Sequence, residues 1–243
     1  EIRFREPDGL NINDGCGSTH LGQLKERVRK GDFDLGIAFD GDADRCLIVD
    51  ENGEELDGDR IMAVCAARMQ QEGKLRGGAF VATVLSNIGL HAYAKQKNMR
   101  IECSNVGDRY VLEKMLENGY ILGGEQSGHV IFLEYATTGD GQLTALQFMR
   151  ILKDSGRKCS EIAAEVVSWP QVMINVKVPN SEKYSIAERP EIAEAIKEAE
   201  AGVGVRRGQA PNGHMRAWSR SARAVCASGS RSASGTARTR PQA

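Results

Sequence analysis

Short apolar runs alternate with amphipathic stretches along the first 170 residues of this chain. Residues 33–39 and 46–50 read as short buried strands flanking a polar stretch, the second as a continuation of the first. Asp57-Gly58-Asp59 opens a helix running to about residue 71, with Ile61, Met62, Val64, Cys65 and Met69 as its apolar stripe. A polar, glycine-bearing break at 74–78 is a candidate domain boundary. A second cycle follows. It holds a strand at 79–84, a helix capped by Ser86 or Asn87 and reaching 97, and a strand at 100–103. A helix opened by residues 106–108 then shows Val111, Leu112, Met115 and Leu116 on one face. Residues 120–122 form a strand, 123–128 a turn and 130–133 another strand, and Gly139-Asp140-Gly141 leads into a long helix ending near 154. Strands alternating with helices of this length predict α/β layers with a mixed or parallel sheet, and the two similar cycles suggest two related domains.

After Trp169-Pro170 a strand at 172–178 opens something different, and 190–200 is a helix. From residue 201 the chain turns to Ala, Arg, Gly and Ser without hydrophobic periodicity. This stretch carries eight Arg and no Lys, Asp or Glu, so the net charge of −1 conceals −9 on the first 200 residues. One reading is a disordered basic tail. The preferred reading is translation in a wrong frame, since Asp, Glu and Lys vanish together at one point.

The acidic body gives no reason to invoke nucleic acid. No apolar run approaches the roughly 18 residues that span a membrane, and no signal peptide is visible, so neither a membrane nor export is expected. Six cysteines without C-x-x-C pairing read as reduced, mostly buried thiols of a cytoplasmic protein. The chain begins at Glu1 in mid-pattern, which reads as a fragment.

The densest chemistry lies in Asp40-Gly41-Asp42-Ala43-Asp44-Arg45. Three carboxylates at alternate positions repel one another unless a cation neutralises them. Hard oxygen ligands with no His or Cys between them favour Mg²⁺ or Ca²⁺ over zinc. A solvated acidic turn explains Asp-Gly but not three Asp in register. An EF-hand would match Asp40, Asp42, Asp44 and Glu51, but Arg45 stands where its sharp turn needs Gly, and β-type runs flank the loop. Arg45 beside such a site suggests a second anion arriving there, such as a phosphate.

Gly123-Gly124-Glu125-Gln126-Ser127-Gly128-His129 is the second dense patch. Its glycines permit close backbone approach, and its mixture of donors and acceptors without apolar bulk suits a polyhydroxylated ligand. A polar β-turn with a chance His is the alternative. Gly107-Asp108-Arg109 at a helix start is a weaker anion site, as easily an ordinary Asp cap with a surface Arg.

Together with residues 9–20 (GLNINDGCGSTH), Val106-Gly107-Asp108-Arg109-Tyr110-Val111 and Thr138-Gly139-Asp140-Gly141, these loops give the chain a resemblance to the α-D-phosphohexomutases from about Pro7 to Glu200. The first and third segments resemble the glucosamine branch. Members have four domains, and the resemblance implies tandem mixed α/β domains: part of domain two at 1–73, with the metal loop, and domain three at 74–170, with the sugar loop. Residues 171–200 would start a small α+β C-terminal domain, and 201–243 would be the aberrant tail. Nothing here matches the serine-bearing domain one. The phosphate loop of domain four should fall within the tail, where Ser234-Gly235-Thr236 echoes it too late.

The resemblance implies interconversion of glucosamine 6-phosphate and glucosamine 1-phosphate through a bisphosphate, feeding UDP-N-acetylglucosamine and cell-wall synthesis. It implies Mg²⁺ on Asp40, Asp42 and Asp44, with Arg45 stabilising the moving phosphoryl group. Glu125 and Ser127 would hold sugar hydroxyls. His129 would serve in proton transfer or phosphate contact, and Arg109 in phosphate or sugar contact. The partner is a phosphosugar, and a homodimer is kept open. The alternatives are a noncatalytic Mg²⁺- and sugar-phosphate-binding fragment and a glucose or mannose specificity within the same superfamily.

Overall fold

The computed structural model describes residues 1–172, 179, 181, 185, 189–203, 205–209 and 215–219, in two compact units, 1–169 and 170–243.

In the first unit, α1 (Gly22–Lys30) precedes a three-stranded antiparallel sheet, β1 (Leu35–Phe39), β2 (Cys46–Asp50) and β3 (Glu55–Leu56), in the order β1-β2-β3. Phe39 pairs with Cys46, so the acidic stretch closes a hairpin, and β2 is not a continuation of β1 but its antiparallel partner. Helix α2 (Gly58–Gln71) follows, then β4 (Ala79–Thr83), α3 (Ile88–Gln96), β5 (Arg100–Ser104), α4 (Asp108–Asn118), β6 (Leu122–Gly124), β7 (Val130–Phe132), α5 (Gly141–Ser155) and α6 (Cys159–Ala163). The second sheet has the order β5-β4-β6-β7. β5, β4 and β6 run parallel, and β7 is antiparallel to β6.

Both faces of the second sheet are covered, as parallel strands require. Phe80 and Ala82 join the large core with Ile61, Met62, Leu90 and Phe148. Ala79 and Val81 point into a smaller core with Val111 and Met115 of α4. The first sheet buries Ala38, Leu47 and Val49 with Leu21 and Val28 beside α1. The large core also holds Cys46, Ile48 and Leu56 of the first sheet, so packing is continuous across the break at 74–78. Helix α2 is the reason. It touches both sheets, and every residue from Gly58 to Ala66 except Arg60 is buried, on several faces rather than along one stripe.

Asn87 caps α3, accepting the Gly89 N–H at 2.9 Å. The expected apolar face of α4 buries Val111 and Met115 and packs Leu112 partly against the same core, while Leu116 is exposed. The strand expected at 120–122 instead runs through Leu122–Gly124, where a turn was expected. The glycines belong there because α4 lies close: a Cβ on Gly123 would sit 2.6 Å from Met115 Sδ. Elements α1, β3 and α6 have no counterpart in the sequence reading. The Leu21, Leu24, Val28 spacing is the signal that could have found α1.

In the second unit, α7 (Pro190–Val203) extends past the expected end at 200. β8 (Val205–Gln209) pairs antiparallel with β9 (Met215–Ser219), Val205 opposite Ser219. Backbone pairing needs no apolar period, so this part of the stretch read as irregular holds a hairpin. Most of the strand expected at 172–178 and all of 220–243, including Ser234-Gly235-Thr236, lie outside the described residues.

Candidate functional site

The acidic loop is a tight turn at the tip of the β1–β2 hairpin. Ala43 N–H donates to the Asp40 carbonyl at 3.2 Å, and Ala43 holds φ +58°, a left-handed conformation that costs an L-residue energy. Its carbonyl accepts the Gly141 N–H at 2.9 Å, from the first turn of α5. Arg45 N–H donates to Asp40 Oδ1 at 3.1 Å. These bonds gather Asp40, Asp42 and Asp44, each offering one carboxylate oxygen, with all three oxygens within 4.8 Å of one another. Asp42 is exposed and the other two are half-buried.

The carboxyl of Asp44 is held above its ordinary range, by burial first and then by Asp40, with His129 acting against the shift and Asp42 adding to it. Three carboxylate oxygens gathered this closely form a hard donor set that a divalent cation fits, since its charge would remove the repulsion between them. Arg45 stands at the edge of the trio, Nε 3.6 Å from Asp40 Oδ2 and 3.8 Å from Asp44 Oδ1, with its side chain partly exposed.

The glycine-rich loop joins β6 to β7 and docks directly on the acidic loop. Cys46 N–H donates to the Gly128 carbonyl at 3.1 Å, and Arg45 and His129 form an isolated antiparallel bridge. Within the loop, Gly128 N–H returns to the Glu125 carbonyl and Glu125 N–H to the His129 carbonyl, each at 3.0 Å. Gly128 has φ +96°, and a Cβ there would lie 2.5 Å from the Cys46 carbonyl oxygen, so only glycine fits. His129 Nε2 lies 3.6 Å from Asp44 Oδ2 and accepts the Gly139 N–H at 3.1 Å, on a ring that is almost wholly buried.

Glu125 reaches away to α4, its Oε1 accepting the Gly107 N–H at 2.9 Å, while Ser127 is exposed at the loop tip. Arg109 is not brought to the cluster by any contact of its side chain. It is exposed and pairs with Glu113 one turn along α4 at 2.7 Å. The Gly107-Asp108-Arg109 segment meets the loop through the backbone of Gly107.

Three helix starts therefore meet the two loops. Gly58 N–H of α2 donates to the Gln126 carbonyl at 2.9 Å, Gly107 at the start of α4 holds Glu125, and Gly141 of α5 holds Ala43. The positive ends of the helices favour a cluster carrying this much negative charge. Asp57, Gly58 and Gly139 were not singled out as site residues from the sequence. The signal lay in the glycines. A Cβ on Gly58 would overlap the Glu125 carbonyl oxygen, and one on Gly139 would lie 2.5 Å from His129 Cδ2 and 2.8 Å from the Asp44 carbonyl oxygen.

Comparison with known proteins identifies the family and the fold. The family profile "Phosphoglucomutase/phosphomannomutase, alpha/beta/alpha domain II" matches residues 5–53, and the corresponding domain III profile matches residues 57–168. A curated phosphoglucosamine mutase of Ruminiclostridium cellulolyticum is 55% identical over 195 residues, which is 80% of this chain and 43% of that protein. One from Streptococcus mutans is 50% identical over 196 residues, 81% of this chain and 44% of that protein. The chain thus spans less than half the length of the curated relatives it matches. A crystal structure of Aspergillus fumigatus N-acetylphosphoglucosamine mutase in complex with GlcNAc-6P and magnesium superposes with a TM-score of 0.63 at 19% identity, covering 92% of this chain and 57% of that one, a likeness of fold.

Proposed function

This chain belongs to the phosphoglucomutase/phosphomannomutase family, and from that premise we propose that it serves the interconversion of glucosamine 6-phosphate and glucosamine 1-phosphate through a bisphosphate. The observation that carries the reading is the docking of the glycine-rich loop on the acidic loop, with Asp44 Oδ2 and His129 Nε2 3.6 Å apart. A metal site and a hydroxyl-binding loop on one patch are what phosphoryl transfer to a sugar needs.

In this reading Asp40, Asp42 and Asp44 hold Mg²⁺, which when bound supplies positive charge against a phosphoryl group. Arg45 binds a phosphoryl oxygen from the rim of the trio, where its guanidinium is accessible and already oriented by two carboxylates. Glu125 has one oxygen committed to Gly107, which leaves the other to accept from a sugar hydroxyl or from the ammonium of an amino sugar. Ser127, exposed beside it, serves as a second hydroxyl partner. The proton-transfer role expected of His129 meets a buried ring whose Nε2 is already an acceptor, so we assign it to the joint between the loops. Arg109 is left the lesser part of attracting anions from the outer surface of α4.

Among the described residues, no helix is long and apolar enough to cross a membrane. The reading places the protein in the cytoplasm, where sugar phosphates are made and consumed, with a phosphosugar as partner, a homodimer still an open assembly, and neither nucleic acid nor membrane.

The test is titration of the purified chain with glucosamine 6-phosphate in the presence of Mg²⁺, alongside an assay for glucosamine 1-phosphate. Saturable binding that is lost in Glu125→Ala supports the reading, and turnover completes it. Binding without turnover reduces it to a binding role. No binding overturns the site assignment, and tighter binding of glucose or mannose phosphates overturns the choice of sugar.

A further inference from the structure

We propose that Asp57 is a positioning residue for the ligand loop, fixing Gln126 and through it the flanking Glu125 and Ser127. The inference deepens the proposed function and rests on it for the identity of the ligand.

Asp57 lies outside the loop, at the N-cap of α2, and each of its carboxylate oxygens has a separate task. Oδ1 accepts the Arg60 N–H at 3.0 Å, an ordinary helix cap. Oδ2 accepts from Gln126 Nε2 at 3.1 Å, a bond spanning 69 residues of sequence. The next residue repeats the link in the backbone, since Gly58 N–H donates to the Gln126 carbonyl at 2.9 Å. Gln126 is thereby held by both its side chain and its main chain, and Gly58 lets α2 approach because any Cβ would strike the Glu125 carbonyl.

The consequence concerns which loop residues can reach a ligand. In Glu125-Gln126-Ser127 the middle side chain is spent on α2 and is an anchor. The residues either side carry the acceptor and hydroxyl that the proposed function uses. A loop whose middle residue is tied has lost conformational freedom before ligand arrives, which lowers the cost of binding. A hydrogen bond to a charged acceptor is of the stronger kind. The opposite end of the loop is fixed independently, by Cys46 N–H on the Gly128 carbonyl. Removing the Asp57 tie should therefore loosen one end only.

Three variants of this chain test the assignment. Asp57→Ser keeps a capping oxygen for Arg60 but is too short to reach Gln126, and Gln126→Leu removes the donor. Asp57→Asn caps with its Oδ1 and, once the Gln126 amide turns over, donates its Nδ2 to Gln126 Oε1, so the tie is kept. Amide hydrogen exchange needs no ligand. We expect the Gly128 amide, which bonds inside the loop, to exchange about tenfold faster in Asp57→Ser and in Gln126→Leu. The Ala43 and Gly141 amides should stay as they are, and Asp57→Asn should stay near the parent. Affinity for glucosamine 6-phosphate should fall about tenfold in Ser and Leu variants, with the double variant no worse than either, because both remove one interaction. Unchanged exchange in both variants overturns the proposal. So does equal loosening by Asp57→Asn, which would mean that the charge matters and the tie does not. A parent chain that binds no sugar phosphate overturns the proposed function, while the exchange result still judges the anchor.

Discussion

His129 Nε2 stands 3.6 Å from Asp44 Oδ2, across the seam between a loop that begins with Asp40 and one that ends with His129 itself. The two residues are separated by 85 positions in sequence. That distance turns two separate polar motifs into a single site, and the behaviour expected of the site depends on it.

If the three aspartates form a cation cage, chelator-treated protein should gain thermal stability on addition of Mg²⁺, as any ligand of the native state confers. Asp42→Asn or Asp44→Asn should weaken binding in a calorimetric titration by about tenfold or more, since each removes a charged oxygen from a set of three. A titration unaltered by either change would sink the cage.

His129 accepts the Gly139 N–H at Nε2, so in the neutral ring the proton must sit on Nδ1. Long-range nitrogen–proton NMR of the ring should report the Nδ1–H tautomer. Finding the proton on Nε2 would mean that the bond to Gly139 is absent and that the ring faces Asp44 as a donor.

Gly139→Ala should destabilise the protein by about 1–3 kcal/mol, the usual cost of forcing a methyl into a filled space. The added carbon would meet His129 Cδ2 at 2.5 Å, His129 Nε2 at 2.6 Å and the Asp44 carbonyl oxygen at 2.8 Å, and backbone and a buried ring yield little. Thermal unfolding gives the loss, and Mg²⁺ should then stabilise the variant less than the parent. A variant as stable as the parent would show that the seam is looser than these distances require.

Asp59, only 2% exposed, should make stability fall as pH rises from about 4 to about 7. Burial first, and Asp57 second, push its carboxyl from 3.8 up to about 7. The folded protein therefore holds a proton that the unfolded chain releases above pH 3.8. Folding is favoured below that value, and the advantage is lost as pH climbs through the folded pKa. A rise of this size corresponds to about 4 kcal/mol at most. Asp59→Asn can still accept the Asn87 N–H, bonded at 2.6 Å in the parent, and should flatten this part of the profile in denaturant unfolding. An unchanged slope would mean that Asp59 is ionised when folded.

Local sequence announced most elements between residues 33 and 155 and the residue types of each loop. Apolar runs bounded by turn residues marked β1, β2 and β4, and Asp57 and the Ser86-Asn87 pair announced α2 and α3, because periodicity and capping are local properties of the chain. The alternation of Asp with small residues at 40–45 announced a cation site for the same reason. What those loops do to each other was left to the packing of the folded chain. Residues 46–50 turn back on 35–39, the glycines of 123–124 form a strand beneath α4, Arg109 is spent on Glu113, and Gly58 and Gly139 are the points of closest approach. A glycine marks the last two positions locally but not what they meet, because a contact across 85 residues depends on how helices α2, α4 and α5 aim their first turns at the same place, and aim is a property of packing.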